Sequence, residues 1–258
     1  MFKKVSLAVA AAAVALSAGV AMADGHKLRI GVEGAYPPFS EKTASGELIG
    51  FDIDIANALC EEMKKDCEMV EQDWDGMIPG LLSKKYDAII ASMSITPERQ
   101  KKIDFSAKYY NTPAKFAAKA GAFADDKPAT LAGKVIGVQS ATIHADYAKA
   151  MYKDSDIREY GTQEEVYLDL TAGRLDAILA DSIAIDDGFL KTDNGAGYAF
   201  FGMDHTDTAF FGEGAGVGVR KGEEDLREAF SKAIKAIRAN GKYKAINDKY
   251  FEFDIYGG

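Results

Sequence analysis

The sequence of 258 residues lacks the basic clusters that characterise proteins acting on nucleic acids or on anionic membranes. Its 40 acidic residues outnumber its 31 basic ones, and the formal charge at pH 7 is −9. Because phosphate-rich partners require a basic surface, this balance argues against both kinds of partner. Apolar residues make up 47% of the chain and charged residues 28%, which is typical of a folded globular protein.

Signatures of catalysis and of metal binding are also scarce. The chain has three histidines, and no G-x-S-x-G, H-E-x-x-H, G-K-[ST] or strand-linked G-x-G-x-x-G motif occurs. Only His144 is expected near a cleft, since His26 lies close to the amino terminus and His205 is predicted in a polar loop. We therefore expect a binding protein that is not an enzyme and uses neither a metal nor a cofactor.

Long apolar runs occur only at the amino terminus. A basic pair at residues 3–4 precedes an alanine- and valine-rich run over 5–20, and A-M-A at 21–23 matches a cleavage site. This pattern predicts a signal peptide over 1–23, cleaved after Ala23, in preference to a membrane helix. No other segment approaches the ~18–20 apolar residues of a membrane span. The mature product is expected to be soluble and exported, most simply to a bacterial periplasm.

Cysteine is limited to two residues, Cys60 and Cys67. An even number of cysteines in an exported chain favours a disulfide, and no histidine or further cysteine lies near enough to complete a zinc site. We expect a bridge between Cys60 and Cys67 that stabilises local structure. A pair of free thiols is the alternative.

The rest of the chain alternates strand-like and helix-like segments, which predicts an α/β fold with mainly parallel sheets. Apolar runs predict strands over 28–32, 86–91, 136–138, 175–180 and 217–220. Apolar periodicity and capping residues predict helices over 51–65 and 75–83, from Thr96-Pro97, from the Thr162 capping box to Gly173, and from 226 to about 241.

One internal repeat organises these segments. The string LRIGVEGA at 28–35 resembles KVIGVQSA at 134–141, and KKYDAIIAS at 84–92 resembles GRLDAILAD at 173–181. Both pairs occur in the same order, so two lobes of similar plan are expected. Ligands of open α/β sheets bind beyond the carboxyl ends of the strands, and clefts between lobes are preferred sites. The polar residues at these strand ends are Glu33, Ser92, Ser94, Gln139 and Asp181.

The residue types around these strand ends suggest a charged ligand. Arg99 falls in the first turn of a helix, where the helix dipole disfavours a cation, so it is a candidate to bind a carboxylate. Trp74 and Tyr36 are candidates to contact a ligand side chain. A solvated arginine and two packed aromatic residues are the alternatives. Glu33 and Asp181, taken with Arg99, favour a zwitterion that carries an extra positive charge.

Seven longer strings identify a family that the chain resembles. They are AYPPFS (35–40), GFDIDIANALC (50–60), WDGMIPGLLSKKYDAIIASMSITPERQ (74–99), DFS (104–106), DLTAGRLDAILAD (169–181), GVGVRK (216–221) and KYFEFDIYG (249–257). In this order they resemble the periplasmic polar-amino-acid-binding proteins of ABC importers, in family 3 of the extracellular solute-binding proteins. The likeness is strongest to the branch that binds lysine, arginine and ornithine, histidine or opines. The Cys60 and Cys67 spacing also resembles a bridged pair of that branch.

The resemblance implies a two-lobed flytrap fold, in which each lobe is a mainly parallel sheet flanked by helices. Lobe 1 is expected to comprise 24–111 plus 212–258, and lobe 2 to comprise 112–211. Two crossovers, near Asn111–Lys115 and Thr206–Gly214, are expected to form the hinge. The implied partners are an amino-acid ligand and an inner-membrane permease, and a monomer is the simplest assembly.

The resemblance also implies a set of contacts to the ligand's α-carbon groups. Arg99 is expected to pair with the α-carboxylate, together with backbone N–H groups of Ser94 and Ile143. Asp181 is expected to accept from the α-ammonium group, with assistance from Ser92.

A second set of contacts is implied for the ligand side chain. Tyr36 and Trp74 are expected to enclose it, and Glu33 to meet a distal positive charge. The other residues expected to line the pocket are Ala91, Gln139, Thr142 and His144. Departures from the lysine/arginine/ornithine pattern, such as Glu33 and Trp74, leave basic amino acids, histidine and opines open as ligands. An enzyme of the cyclohexadienyl dehydratase type on the same scaffold is the remaining alternative.

Overall fold

The structure is a computed structural model that describes residues 27–257. The signal peptide predicted over 1–23 lies outside these residues. Two five-stranded sheets, a small three-stranded sheet and nine α-helices are formed by the described part of the chain.

The first part of the chain builds most of one sheet and its helices. Its elements are β1 (Leu28–Val32), β2 (Ala35–Tyr36), β3 (Ser40–Lys42), β4 (Leu48–Ile49), α1 (Phe51–Glu62), β5 (Cys67–Glu71), α2 (Met77–Leu82), β6 (Ala88–Ile89), α3 (Pro97–Gln100) and β7 (Ile103–Tyr110). A 3₁₀ turn over Trp74–Gly76 precedes α2.

The second part builds the other sheet before the chain returns to the first. It contains β8 (Ala114–Lys119), β9 (Val135–Gln139), α4 (Ile143–Met151), β10 (Asp156–Tyr160), α5 (Gln163–Thr171), β11 (Ala177–Asp181), α6 (Ser182–Ile185), β12 (Tyr198–His205) and α7 (Thr208–Phe211). A single turn of π-helix over Asp186–Leu190 and a 3₁₀ turn over Asp193–Gly195 precede β12. The returning segment forms β13 (Ala215–Arg220), α8 (Glu224–Ala239) and α9 (Lys242–Tyr250).

The two large sheets share one topology. Their strand orders are β5-β1-β6-β13-β7 and β10-β9-β11-β8-β12. In each sheet the first three strands pair in parallel, and the fourth runs antiparallel to both of its neighbours. All strands but the fourth therefore point the same way, which confirms the expectation of mainly parallel sheets. The repeated strings fall on β1 and β9, and on β6 and β11, at matching positions.

In each lobe the aspartate of the repeated D-A-I string accepts a hydrogen bond from a backbone N–H group. The backbone N–H of Arg29 donates to Asp87 Oδ2 at 3.1 Å, and that of Val135 donates to Asp176 Oδ2 at 2.9 Å. Each aspartate precedes the third strand of its sheet and satisfies an N–H at the start of the second. Backbone groups at strand ends must find such partners, so the same residue recurs in both lobes.

The glycines at the centre of β1 and β9 are required by close packing. A Cβ on Gly31 would lie 2.7 Å from the ring of Tyr86, and one on Gly137 would lie 2.3 Å from Leu175 Cδ1. Tyr86 and Leu175 occupy equivalent positions in the second repeated string. Each lobe thus fits a large side chain against its second strand, where any side chain other than hydrogen would collide.

A disulfide joins Cys60 in α1 to Cys67 in β5, as expected, with Cα atoms 6.2 Å apart. Helix α1 ends at Glu62 and not at residue 65, because Lys64 adopts a left-handed conformation with φ of 54°. Strand β5, which starts at the second cysteine, was not predicted. Two of its five residues are exposed glutamates and the other three are only partly buried, so it carries no apolar run that periodicity detects.

The predicted position of His205 is wrong. His205 ends strand β12 and is 9% exposed, whereas a polar loop was expected. Its Nε2 lies 2.9 Å from Asp126 Oδ2, and its Nδ1 lies 3.0 Å from the Tyr147 hydroxyl. These partners satisfy both ring nitrogens, so His205 is buried although the residues on either side of it are exposed.

The main core lies between the first sheet and helices α1 and α8. The predicted apolar stripe of α8 is buried at Phe230, Ala233, Ile234 and Ile237. No helix formed by residues 27–257 combines the length and the apolar character that crossing a bilayer requires.

We expect Gly31→Ala to destabilise the fold by about 1–3 kcal/mol, because the new methyl group overpacks the Tyr86 ring. Urea unfolding followed by circular dichroism measures the change. Gly161→Ala is the matched control, since its nearest atom is a flexible Glu165 oxygen at 3.3 Å. Equal stabilities of the two variants would contradict the packing argument.

Candidate ligand-binding site

A cavity lies between the two large sheets, at the carboxyl ends of their strands. The structure brings all twelve predicted ligand-site residues to its walls: Glu33, Tyr36, Trp74, Ala91, Ser92, Ser94, Arg99, Gln139, Thr142, Ile143, His144 and Asp181. Sequence reasoning did not place the other lining residues: Tyr110, Asn111, Thr112, Ala114, Phe211, Gly214 and Ala215. These lie in or beside the two segments where the chain passes between sheets, and only topology brings such segments to the cavity.

Arg99 enters the cavity from the short helix α3. The Thr96 side chain caps this helix by accepting from the Arg99 backbone N–H at 3.2 Å, as the T-P sequence predicts. The guanidinium donates to the Ser94 carbonyl at 3.0 Å and lies 5.3 Å from the Trp74 ring centroid. No carboxylate within residues 27–257 forms an ion pair with it. Desolvation lowers the pKa of Arg99 to about 10. A bound anion would stabilise the charged guanidinium.

Asp181 ends strand β11 and caps helix α6. Its Oδ1 accepts from the backbone N–H groups of Ile183 at 2.8 Å and Ala184 at 3.3 Å, and its Oδ2 accepts from the Thr112 hydroxyl. Burial raises the pKa of Asp181 to about 6 despite these donors. The carboxylate is therefore fixed in place, and no cation in residues 27–257 forms an ion pair with it.

Glu33 and Gln139 meet across the cavity. They follow β1 and end β9, and they occupy equivalent positions in the first repeated string. Gln139 Nε2 donates to Glu33 Oε1 at 2.6 Å, and Glu33 is 6% exposed. Desolvation raises the pKa of Glu33 to about 7, while the hydrogen bond from Gln139 acts in the opposite direction.

The aromatic residues form walls between these charged groups. Tyr36 and Trp74 are each 8% exposed, and Tyr36 stacks on Phe39 with ring centroids 5.9 Å apart. Trp74 Nε1 donates to the carbonyl of Ala141 at 3.0 Å, which links the loop after β5 to the loop after β9. Each ring is thus held by a protein partner, Tyr36 by stacking and Trp74 by a hydrogen bond.

The start of helix α4 supplies the wall facing Arg99. Thr142 caps this helix by accepting from the Ala145 N–H at 3.1 Å, and it donates to the Gln139 carbonyl at 2.7 Å. Desolvation and the nearby charge of Arg99 lower the pKa of His144 to about 3, so its imidazole is neutral at physiological pH. A neutral His144 leaves Arg99 as the cation at this end of the cavity.

Asp52 was not predicted, although it lies directly behind the cavity wall. It is fully buried in α1 and accepts from Ser92 Oγ and the Tyr109 hydroxyl, both at 2.9 Å. Desolvation raises its pKa to about 7. The sequence does contain a signal for the burial of Asp52. It precedes Ile55 and Leu59 by three and seven residues, which places it on the apolar face of α1. The network holds Ser92 in a left-handed conformation with φ of 54°.

Comparison with known proteins identifies the family. The model of bacterial extracellular solute-binding proteins, family 3, matches residues 28–253. The chain belongs to this family. It is 53% identical over 257 residues to the L-arginine-binding protein of Pseudomonas aeruginosa, covering 99% of each chain. It is 42% identical over 232 residues to the lysine/arginine/ornithine-binding periplasmic protein of Escherichia coli, covering 89% of each chain.

A solved structure shares the fold. The periplasmic binding protein with high arginine specificity from Salmonella typhimurium superposes with a TM-score of 0.81 at 32% identity, covering 87% of this chain and 99% of that one. The family resemblance and the two-lobed fold expected from the sequence are therefore confirmed. Membership of a solute-binding family also confirms the prediction of a binding protein and not an enzyme.

We expect the ligand-free protein to lose stability as the pH rises from 5 to 8. In this range the folded protein retains protons on Glu33, Asp52 and Asp181, whose pKa values are raised to about 7, 7 and 6. The unfolded chain has already released them, because ordinary carboxyl pKa values lie near ~4. For each of these groups the free energy of unfolding falls by about 1.4 kcal/mol per pH unit between the pKa of the unfolded chain and the pKa of the folded protein.

Urea unfolding of the ligand-free protein across this pH range measures the dependence. Asp52→Asn is expected to show a shallower fall, and Asp75→Asn, which changes an exposed carboxylate, is expected to retain the parental one. Stability that is constant or increases with pH in the parent would show that these carboxyl groups titrate normally.

Proposed function

We propose that the protein is the periplasmic substrate-binding component of an amino-acid ABC importer and that it binds a basic L-amino acid, arginine first, in the cavity between the lobes. The observation that carries the proposal is the charge arrangement of the cavity. Two buried carboxylates and one partly buried guanidinium line it, and the pKa values of all three are displaced by desolvation. A ligand with two positive groups and one negative group compensates each of them.

The α-carbon groups of the ligand are assigned to the end that contains Arg99 and Asp181. Arg99 is suited to bind the α-carboxylate through two N–H groups, as guanidinium and carboxylate match in geometry. The backbone N–H groups of Ser94 and Ile143 add donors to the same anion. Asp181 accepts from the α-ammonium, and Ser92, held in place by Asp52, completes its shell.

The ligand side chain is assigned to the channel between Tyr36 and Trp74, with its charged end at Glu33. Aliphatic carbons pack against the two ring faces, and a distal cation gains both the charge of Glu33 and a place over an aromatic face. Ala91, Gln139, Thr142 and His144 complete the walls. The ligands after which the relatives are named, arginine in one and lysine, arginine and ornithine in the other, agree with this placement.

Delivery to a permease follows from closure of two lobes on the ligand. We propose that residues 24–111 with 212–258 form one lobe and residues 112–211 the other, with the hinge at the crossovers near Asn111–Lys115 and Thr206–Gly214. Contacts to the ligand from both lobes exist together only in the closed form, so binding shifts the population toward closure. The protein is proposed to act as a monomer, exported after cleavage following Ala23, and to dock on the permease when closed.

Isothermal titration calorimetry tests the proposed function. The mature protein is unfolded and refolded to remove carried-over ligand, then titrated with arginine, lysine, ornithine, histidine, glutamine, glutamate, octopine and nopaline. Tight binding confined to cationic amino acids supports the proposal. Binding confined to opines would retain the α-carbon contacts and change the assigned ligand, while binding to none of the panel would refute the proposal.

We expect Glu33→Gln to weaken arginine binding by about 10- to 100-fold, because a charge-assisted hydrogen bond to a buried cation is lost. Calorimetric dissociation constants measure the change. Asp73→Asn is the matched control: it removes a charge that acts on Glu33 but does not line the cavity, so its effect is expected to remain small. Unchanged arginine affinity in Glu33→Gln would contradict charge pairing as the basis of selection.

A further inference from the structure

The amide of Gln139 is fixed in one orientation by two partners. Its Nε2 donates to Glu33 Oε1 at 2.6 Å and to the Gly161 carbonyl at 3.3 Å. A carboxylate and a carbonyl only accept, so the amide nitrogen must face both of them. Gln139 is 3% exposed, and these two hydrogen bonds use both hydrogens of its amide.

This orientation leaves two oxygens without donors. Neither Gln139 Oε1 nor Glu33 Oε2 accepts a hydrogen bond from residues 27–257, and both residues line the cavity. Within these residues, the side-chain atoms that are sealed from solvent without a partner are Gln163 Nε2 and Glu223 Oε2. The two free oxygens therefore retain some accessible surface, and both belong to residues of the cavity wall.

The proposed function places the distal charge of the ligand at Glu33. The hydrogen bond from Gln139 to Glu33 holds the amide beside that carboxylate. The strand ends that carry Glu33 and Gln139 thus define the distal end, where the tip of a ligand side chain arrives.

From this geometry we infer that Gln139 makes the site selective for a guanidinium over a primary ammonium. The inference rests on the proposed function, since it assigns a role within the same site. Gln139 Oε1 and Glu33 Oε2 act as an acceptor pair for two N–H groups of one planar ligand tip. Tyr36 and Trp74 cover the faces of that tip, so only acceptors in its plane satisfy its hydrogens.

The two kinds of cation depend on this pair unequally. A guanidinium carries five N–H donors in a fixed plane, and each donor left unpaired in a dry cavity costs binding free energy. An ammonium is a compact point charge with three donors that rotate freely, so the charge of Glu33 supplies most of its attraction. The lysine side chain is also one bond shorter than that of arginine, so its ammonium nitrogen does not reach the Gln139 amide.

The test compares dissociation constants for arginine, lysine and ornithine in the parent and in Gln139→Met, which keeps the side-chain length and removes the acceptor. Titrations are made at pH 8.5, above the pKa of Glu33 in the free protein, so that the loss of the Gln139 hydrogen bond does not protonate it. We expect the preference for arginine over lysine to fall at least tenfold. Gln139→Leu serves as the second variant if Gln139→Met does not fold.

Gln163→Met is the matched control, because Gln163 is equally buried but does not line the cavity. It is expected to change folding stability without changing the ratio of the arginine and lysine affinities. An equal loss of affinity for both amino acids in Gln139→Met, or no loss, would overturn the inference while leaving the proposed function intact. A parent protein that binds no basic amino acid would instead refute the proposed function.

Discussion

Desolvation of charged side chains in the space between two sheets is the constraint on which the site depends. Glu33 and Asp181 are buried and Arg99 is partly buried, and none of them forms an ion pair within residues 27–257. Desolvation shifts the pKa of each in the direction that favours its neutral form. Such groups are costly to keep in the ligand-free protein. Their cost is compensated only by a molecule whose charges are their complement, so the same burial that destabilises the free protein provides ligand selection.

The two-fold repetition of the lobes explains why these groups meet. Each sheet places the carboxyl ends of its second and third strands at one edge, and the shared topology makes those edges equivalent. Glu33 corresponds to Gln139 in the first repeated string, and Ser92 corresponds to Asp181 in the second. At each of these equivalent positions one lobe carries a carboxylate and the other a neutral polar group, so each lobe contributes one carboxylate to the cavity.

A layer of fixed hydrogen bonds supports the residues that line the cavity. Asp52 holds Ser92 and Tyr109, and the Thr142 cap orients the start of α4, in each case within one lobe. Ala141 and Ser92 are both held at positive φ, a conformation that most side chains avoid. Preorganisation of this kind lowers the ordering cost of binding, because the protein groups are already in position.

Local periodicity, capping and chain order encode the alternation of strands and helices, the repeat and the residues at the strand ends, and an even cysteine count indicates the disulfide, so these could be predicted from the residues alone. The position of Arg99 could be predicted too, since the T-P cap sets the first turn of α3. The burial of His205, the contact of Asp52 with Ser92 and the hydrogen bond from Gln139 to Glu33 emerge only once the chain is folded. Those contacts join residues 40 to 106 positions apart, and no local pattern specifies which distant partner a buried polar group will meet.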